Sequence, residues 1–294
     1  MATASSLGRT AGSLATLSKA RLNALVVFTT GIGFVVGSPA TVDWRRLGWT
    51  VLGTALVAAS SAVLNQLAEH RRDAQMERTR GRPLATGAMR KVTAFVIGVV
   101  LAYAGGSVLV MWVDSRCTAL AIGNVLLYVL VYTPLKPRTT LNTLVGAVCG
   151  AVPPMIGAVA AEGRFGTAAW VLGALLFVWQ LPHFMALSWM YRADYARGGF
   201  VMLSVVETDG RTTALVAATT ALCTVAVSLL AFPQRLAGGW YLIVALVMGA
   251  WLSWCGWKFL SQRSDAAARG LFFASVTYLP VVLLAMAIDR VART

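Results

Sequence analysis

The chain has 294 residues, of which 58% are hydrophobic and 12% are charged, and its mean hydropathy is +0.72. This composition is too apolar for a soluble globular domain and indicates an integral membrane protein whose main partner is the lipid bilayer. The net charge of +14 does not form a basic stripe with interleaved aromatic residues, which argues against a nucleic-acid partner.

Nine apolar stretches are long enough to cross a hydrocarbon core, which takes about 20 helical residues. They lack the alternating pattern of barrel strands, and in lipid a helix satisfies its own backbone hydrogen bonds. We therefore predict an all-α polytopic membrane protein with nine transmembrane helices in one domain, residues 22–290, after a cytoplasmic tail, residues 1–21. The predicted spans are 22–38, 48–67, 92–113, 117–134, 141–161, 168–190, 213–232, 240–258 and 271–289.

The basic residues are unevenly divided between the two sides of the predicted bundle. With the N-terminus inside, 18 of the 25 Lys and Arg residues fall on the cytoplasmic side. Cytoplasmic loops carry such an excess, so we predict a cytoplasmic N-terminus and an outside C-terminus. The cell membrane is the expected location, and the mitochondrial inner membrane is less favoured because the N-terminal tail shows only a faint likeness to a transit peptide.

The four cysteines give no metal or disulfide pattern. Cys117, Cys149, Cys223 and Cys255 all fall inside predicted spans, and none belongs to a CxxC pair. We predict that they are small buried apolar residues.

A polar cluster lies where the second predicted span ends. Asn65, Glu69 and Asp73 stand at i, i+4 and i+8, so on a helix they share one face, drifting by about 40° per step. Such oxygen ligands suit Mg²⁺, which binds one or two carboxylates together with substrate phosphates. The alternative is a solvated loop that only marks the membrane boundary, but polar groups at this depth favour function. Guanidinium groups that could hold the phosphates follow at Arg72, Arg78, Arg80 and Arg82.

Two more cytoplasmic segments carry groups that could complete a diphosphate site. Lys136 and Arg138, on a short loop, either reach a phosphate or only fix the topology. Asp194, beside Tyr191 and Arg192, either faces the first cluster or belongs to an ordinary belt of Tyr, Arg and Asp at the membrane edge. Together the segments predict a site that neutralises charge on a leaving diphosphate.

His183 is the only histidine inside a predicted span, and it follows Pro182. Its imidazole could bind iron, accept a proton or bond to a ligand, or it could simply be satisfied by a neighbouring helix. Pro182 is expected to kink its helix, and Pro153 and Pro154 are expected to break or bend the preceding span.

Five segments resemble the motifs of a known family: residues 18–34, 65–87, 132–157, 179–199 and, more weakly, 273–289. The Asn-x3-Glu-x3-Asp core resembles the UbiA-type intramembrane prenyltransferases in general. Its combination with MERTRGRPL and WQLPHF resembles the heme O synthase branch, the protoheme IX farnesyltransferases. Position 20 is Ala, position 85 is Ala and position 204 is Ser where that branch usually has proline, which concerns the shapes of loops.

The resemblance implies an enzyme with a central cavity, in which Mg²⁺ holds farnesyl diphosphate and the farnesyl group passes to a vinyl group of heme B. Addition of water would give heme O. Heme A synthase and assembly factors of a terminal oxidase are implied as protein partners. The implied metal ligands and catalytic residues are Asn65, Glu69, Asp73 and Asp194, with His183 at heme or in catalysis. The implied diphosphate contacts are Arg72, Arg78, Arg82, Lys136, Arg138, Tyr191 and Arg192.

Two alternatives stay open at the level of sequence. A UbiA-type enzyme could act on another acceptor, an aromatic ring or a chlorophyll precursor, although the WQLPHF segment disfavours this. A transporter could also contain bent helices and intramembrane polar groups, but its charges would be expected near the bilayer midplane. Here the acids and arginines gather at the inner edge, which favours the enzyme.

Overall fold

A computed structural model of the chain describes residues 20–39, 41–207 and 209–292, with side chains from residue 23 onward. Within these residues the fold is all-helical, as predicted. The predicted cytoplasmic tail falls almost entirely outside the described residues. The helices are α1 Ala20–Gly37, α2 Trp44–Asp73, α3 Lys91–Trp112, α4 Ser115–Leu126, α5 Asn142–Glu162, α6 Thr167–Met190, α7 Arg192–Arg197, α8 Leu203–Val206, α9 Arg211–Leu229, α10 Gly239–Gln262 and α11 Asp265–Val291.

Every predicted span corresponds to a helix in the described part of the chain. Eight helices there are long and apolar enough to cross a membrane, and α1 contributes a shorter apolar helix, Asn23–Gly37. The largest difference from prediction is in α2, whose 30 residues make it about 45 Å long, against about 30 Å for a hydrocarbon core. Its last turns therefore extend beyond the apolar layer, and they carry Glu69 and Asp73.

The fourth span changes its helical geometry part-way. A π-helical segment, Leu127–Tyr132, follows α4 and ends in one α-helical turn, Thr133–Leu135. π-helical turns are rare and often occur at functional sites. This one carries Tyr128 and Tyr132, which both line the cavity described below.

Helix α5 is continuous through Pro153 and Pro154, so of the expected break or bend the structure excludes the break. Proline lacks the N–H that would bond to the carbonyl four residues earlier, which for Pro153 is the carbonyl of Cys149. Asn124 from α4 donates its Nδ2 to that oxygen at 3.0 Å. A neighbouring helix thus replaces the missing donor, as membrane bundles commonly do.

The helices surround a cavity bounded by α1, α2, α4, α5 and α6. Helices α9 and α11 pack against α6, and α10 packs against α9 and α11. Close approach of α1 and α5 requires glycine. A Cβ at Gly157 would collide with the backbone of Thr30 and Phe34, and a Cβ at Gly33 would collide with the backbone of Pro154. Small residues at such crossings allow helices in lipid to pack closely.

The outer surface is apolar, as a lipid-facing surface requires. Trp240, Trp254 and Trp257 of α10 are more than half exposed. Cys117 and Cys149 are buried as predicted, and all four cysteines are free. The prediction is wrong for Cys223, which is exposed because it lies on the outward face of α9.

Candidate active site

A cavity of about 800 Å³ lies between the helices, and charged side chains gather at one end of it. Such a volume is within the range of small-molecule sites, about 300–1,000 Å³. The charged end is formed by Glu69, Asp73, Arg78, Arg82 and Lys136. Elsewhere the wall is mainly apolar and aromatic, and includes Ile156, Leu176, Trp179, His183, Phe184 and Phe200.

Glu69 and Lys136 form a buried ion pair at the charged end of the cavity. Lys136 Nζ donates to Glu69 Oε1 at 2.7 Å and lies 4.4 Å from the centre of the Tyr132 ring. Burial acts to lower the pKa of Lys136, but the Glu69 carboxylate outweighs it and raises that pKa. Lys136 therefore lies beside the acidic cluster on the cavity wall, and its contact with a phosphate stays a prediction.

Asp73 is paired in the same way with Arg82. Arg82 Nη1 lies 2.8 Å from both carboxylate oxygens of Asp73. The loop after α2 folds back to allow this contact, since Thr79 Oγ1 also donates to the Asp73 carbonyl oxygen at 2.9 Å. The i+4 spacing of Glu69 and Asp73 on α2 thus places two carboxylates on the cavity wall, each with its own cation.

Asn65, one turn earlier on α2, is fully buried and does not line the cavity. Its Nδ2 donates to Thr133 Oγ1 at 3.2 Å, and Tyr128 OH donates to its Oδ1 at 3.5 Å. These partners belong to the π-helical segment and the turn that follows it. Asn65 therefore anchors that segment to α2, and its direct role in binding stays a prediction.

Asp194 connects the two long loop segments, residues 74–90 and 191–210. It accepts from the backbone N–H groups of Glu77 at 2.9 Å and Arg78 at 3.3 Å, and from Arg197 Nη2 at 2.8 Å. Although burial acts to raise it, these hydrogen bonds hold the pKa of Asp194 below its usual range. Asp194 lies beside the cavity rather than on its wall, in a neighbouring shallow pocket that also contains Tyr191.

The predicted diphosphate-binding arginines differ in position. Arg78 lines the cavity, with its guanidinium 5.3 Å from the centre of the Tyr191 ring. Arg72 instead donates to the carbonyl oxygens of residues 198 and 199, both at 3.2 Å. Arg192 pairs with Asp265 Oδ1 at 2.7 Å, and Arg138 is exposed. None of these last three lines the cavity, so only Arg78, Arg82 and Lys136 meet the position that the prediction requires.

His183 is far from Glu69 and Asp73 in the sequence, but it lines the same cavity. Its Nδ1 lies 2.9 Å from Ser275 Oγ of α11. Its ring stacks with the rings of Trp179 and Phe272, with centroid distances of 5.2 Å and 4.9 Å. The histidine is thus held by a neighbouring helix and is also accessible to a ligand, which combines the two readings that the sequence left open.

A sequence profile of the UbiA prenyltransferase family matches residues 26–277. The chain belongs to this family. The protoheme IX farnesyltransferase of Solibacter usitatus is 39% identical over 285 residues, covering 93% of this chain and 97% of that protein. The protein of the same name from an Anaeromyxobacter strain is 42% identical over 270 residues, covering 92% and 90%. The human mitochondrial protein of that name is 39% identical over 275 residues, covering 94% and 61%.

Solved structures show the same UbiA fold. A digeranylgeranylglyceryl phosphate synthase superposes with a TM-score of 0.81 at 15% identity, over 97% of this chain and 99% of that one. A UbiA homologue from Archaeoglobus fulgidus bound to GPP and Mg²⁺ superposes with a TM-score of 0.63 at 12% identity, over 93% and 99%. At these identities the likeness concerns the fold, and it confirms the predicted UbiA-type helical bundle.

Two carboxylates of this UbiA-family chain are candidate ligands for a divalent cation. Among the described residues no three His, Cys, Asp or Glu side chains gather as a ready cluster. Glu69 and Asp73 nevertheless supply carboxylate oxygens on the cavity wall, the hard ligands that Mg²⁺ takes together with substrate phosphates. The donor chemistry fits a magnesium–diphosphate ligand, with Glu69 and Asp73 better placed for it than Asn65 or Asp194.

Asn124, Tyr128 and Gln180 are among the polar cavity residues that were not predicted from the sequence. Gln180 donates Nε2 to the Ala147 and Leu176 carbonyl oxygens, at 3.1 Å and 2.9 Å. A polar side chain inside an apolar span is itself a signal of an interior position, because it is costly against lipid. That signal was present for Asn124 and Gln180.

Proposed function

We propose that this chain transfers the farnesyl group of farnesyl diphosphate to a vinyl group of heme B, with addition of water, to give heme O. The observation that carries the proposal is the 39% identity, over 93% of the chain, to a protein named protoheme IX farnesyltransferase. The single domain would be residues 22–290 in the cell membrane, with the N-terminus inside. The uneven division of Lys and Arg between the two sides supports this orientation.

The charged end of the cavity would bind the diphosphate. Arg78, Arg82 and Lys136 are the cations on its wall, and they would neutralise the negative charge that grows as the farnesyl C–O bond breaks. Glu69 and Asp73 would hold Mg²⁺. When bound, this ion would supply further charge neutralisation to the leaving diphosphate.

The apolar wall would protect the reactive farnesyl group. Loss of diphosphate leaves an allylic cation, which the vinyl group attacks to form a new C–C bond. The resulting cation on the heme side chain takes the oxygen of one water molecule and releases one proton, so heme B, farnesyl diphosphate and water yield heme O and diphosphate. Apolar residues such as Ile156 and Leu176 would exclude water until the C–C bond has formed.

His183 would contact heme. It is the histidine on the cavity wall, and its aromatic neighbours Trp179 and Phe184 offer flat apolar surfaces suited to a porphyrin. A role beside heme A synthase or in terminal-oxidase assembly would follow from the product.

The test is to incubate the purified protein with heme B, farnesyl diphosphate and Mg²⁺ and to identify the pigments by mass. We expect heme O and stoichiometric diphosphate, and loss of both on chelation of the metal. Asp73→Asn should lower turnover by at least about 100-fold, which corresponds to about 2.7 kcal/mol. Asp209→Asn, an exposed position on the second cytoplasmic loop, is the matched control.

Several outcomes would contradict the proposal. Prenylation of an aromatic ring or chlorophyll precursor, but not of heme B, would show a UbiA enzyme with another acceptor. Uptake of a substrate into vesicles without release of diphosphate would favour a transporter. Near-normal turnover by Asp73→Asn, in protein of unchanged thermal stability, would remove that residue from the site; Asp194→Ala gives the same test for Asp194.

A further inference from the structure

Ser275 of α11 makes three hydrogen bonds around the His183 ring. Its Oγ lies 2.9 Å from His183 Nδ1 and 2.7 Å from the carbonyl oxygen of Phe272. Its own carbonyl oxygen accepts from Trp179 Nε1 at 2.8 Å. Ser275 is fully buried and does not line the cavity, so these contacts are made behind the histidine, within the bundle.

The contacts of the Ser275 hydroxyl with Phe272 and His183 determine which of the two residues donates in the Ser275–His183 hydrogen bond. A carbonyl oxygen can only accept, so the contact with Phe272 uses the single hydroxyl proton of Ser275. The serine oxygen must then accept in its contact with His183, and the proton lies on Nδ1. In a neutral imidazole the other nitrogen, Nε2, is left as an unprotonated acceptor.

The same serine also fixes the plane of the imidazole. Trp179 stacks on the imidazole ring with an interplanar angle of 19°, and Phe272 stacks on it with an angle of 29°. Trp179 is held by the Ser275 carbonyl oxygen, and Phe272 stands one turn before Ser275 on α11. Rotation of the ring would break the hydrogen bond and both stacking contacts.

We propose that Ser275 is a positioning residue that holds His183 with its proton on Nδ1 and leaves Nε2 unprotonated for a ligand in the cavity. The ligand class is the iron of a metalloporphyrin, because a neutral imidazole nitrogen whose partner nitrogen donates to a fixed acceptor is a favoured metal ligand. The iron contact rests on the proposed function. The tautomer does not, since it follows from the hydrogen bonds alone.

Nitrogen-15 NMR of histidine-labelled protein tests the tautomer directly. The chain contains only two histidines, and a His70→Gln variant leaves His183 as the only signal. We expect a protonated Nδ1 and an unprotonated Nε2. Ser275→Ala should move population toward the Nε2-protonated form, which free histidine prefers, and Ser275→Thr should restore the original spectrum.

Ser228 provides a matched control elsewhere in the bundle. It is equally buried, donates to the carbonyl oxygen three residues earlier at 2.8 Å, and accepts from Tyr278 OH at 2.9 Å. Ser228→Ala therefore removes the same pattern of bonds without touching His183. The proposal would be overturned if Nε2 is protonated in the unchanged protein. It would also be overturned if the spectra of Ser275→Ala and Ser228→Ala are the same.

Titration with ferric heme, followed by its absorption spectrum, tests the ligand. We expect the spectrum of histidine-coordinated heme, lost in His183→Ala, and an affinity lowered roughly 10-fold in Ser275→Ala but not in Ser228→Ala. Equal spectra for His183→Ala and the unchanged protein would refute the iron contact while leaving the tautomer result in place. Failure of the unchanged protein to bind heme at all would refute the proposed function and, with it, the ligand assigned to Nε2.

Discussion

Removal of the Lys136 charge should destabilise the fold by about 3 kcal/mol, because Glu69 would keep an uncompensated charge in a nearly buried position. The Lys136 and Glu69 side chains are only 11% and 7% exposed. At their separation of 2.7 Å and an effective dielectric constant of about 20, their attraction is about 6 kcal/mol. Desolvation of the two ions, at several kcal/mol each, offsets most of this, so the pair adds little over a neutral pair. Removal of one partner leaves the other charge desolvated and unpaired, which in buried ion pairs destabilises the fold by about 3–5 kcal/mol.

The two single variants should differ. Glu69→Gln leaves Lys136 against the Tyr132 and Phe200 rings, 4.4 Å and 5.8 Å from their centres, so part of its charge stays compensated. Lys136→Met leaves Glu69 without a cation and should cost about 1 kcal/mol more. The double variant should lie within about 1 kcal/mol of the unchanged protein. With single losses of about 3 and about 2 kcal/mol, the coupling energy should be about 4–5 kcal/mol.

Unfolding in detergent–denaturant mixtures, followed by tryptophan fluorescence, measures all four free energies of this cycle. The reasoning is refuted if Lys136→Met costs less than about 1 kcal/mol, or if the double variant loses the sum of the two single losses. Either result would mean that water in the cavity already solvates the carboxylate.

Three further predictions concern the loops and the helix crossings. Asp194→Asn should speed hydrogen exchange at the Glu77 and Arg78 amides, because Asp194 accepts from both. Asp209→Asn, on the same loop as Asp194, should not change these rates. Equal rates in the two variants would contradict the link between the loops. Burial acts to raise the pKa of Glu207, but hydrogen bonds from the first turn of α9 lower it to about 2. Because its folded pKa lies below the unfolded value, its stabilisation is complete above about pH 4.5 and falls as the pH drops toward 2, so the difference in unfolding free energy from Glu207→Gln should shrink over that range. Gly157→Ala should cost about 1–3 kcal/mol through collision with the α1 backbone, while Gly31→Ala, with open space at its Cβ, should leave the thermal midpoint unchanged or raised.

The fold could be predicted because lipid leaves a chain few choices. An apolar run of about 20 residues must be helical to satisfy its backbone, so each span could be located from composition alone. Of the break or bend expected at Pro153, the break does not occur, because Asn124, a residue of another helix, replaces the missing donor. The sequence of α5 alone does not show that a side chain of α4 bonds to its Cys149 carbonyl oxygen.

The site was predictable where it depends on spacing within one helix. Glu69 and Asp73 are one turn apart, and both reach the cavity wall. Asn65 has the same spacing but meets the π-helical segment, whose geometry the sequence does not reveal. Asp194 bonds to residues 116 and 117 positions earlier in the chain, and Ser275 bonds to a residue 92 positions earlier. A sequence pattern within one helix cannot specify contacts over such separations.

Both carboxylates at the charged end of the cavity are already paired with a cation of the protein, and this constrains how ligands bind. Glu69 is paired with Lys136 and Asp73 with Arg82, so the groups suited to a metal ion and the groups suited to a diphosphate occupy one another. A cation alone would leave Lys136 and Arg82 unpaired at the edge of a low-dielectric cavity, and an anion alone would leave the carboxylates unpaired. When a cation and an anion bind together, the carboxylates pair with the cation and Lys136 and Arg82 pair with the anion. No charged group of the two ion pairs is then left without a partner. The arrangement therefore favours binding of a metal–diphosphate complex over either component, which is the selectivity that a prenyl diphosphate site requires.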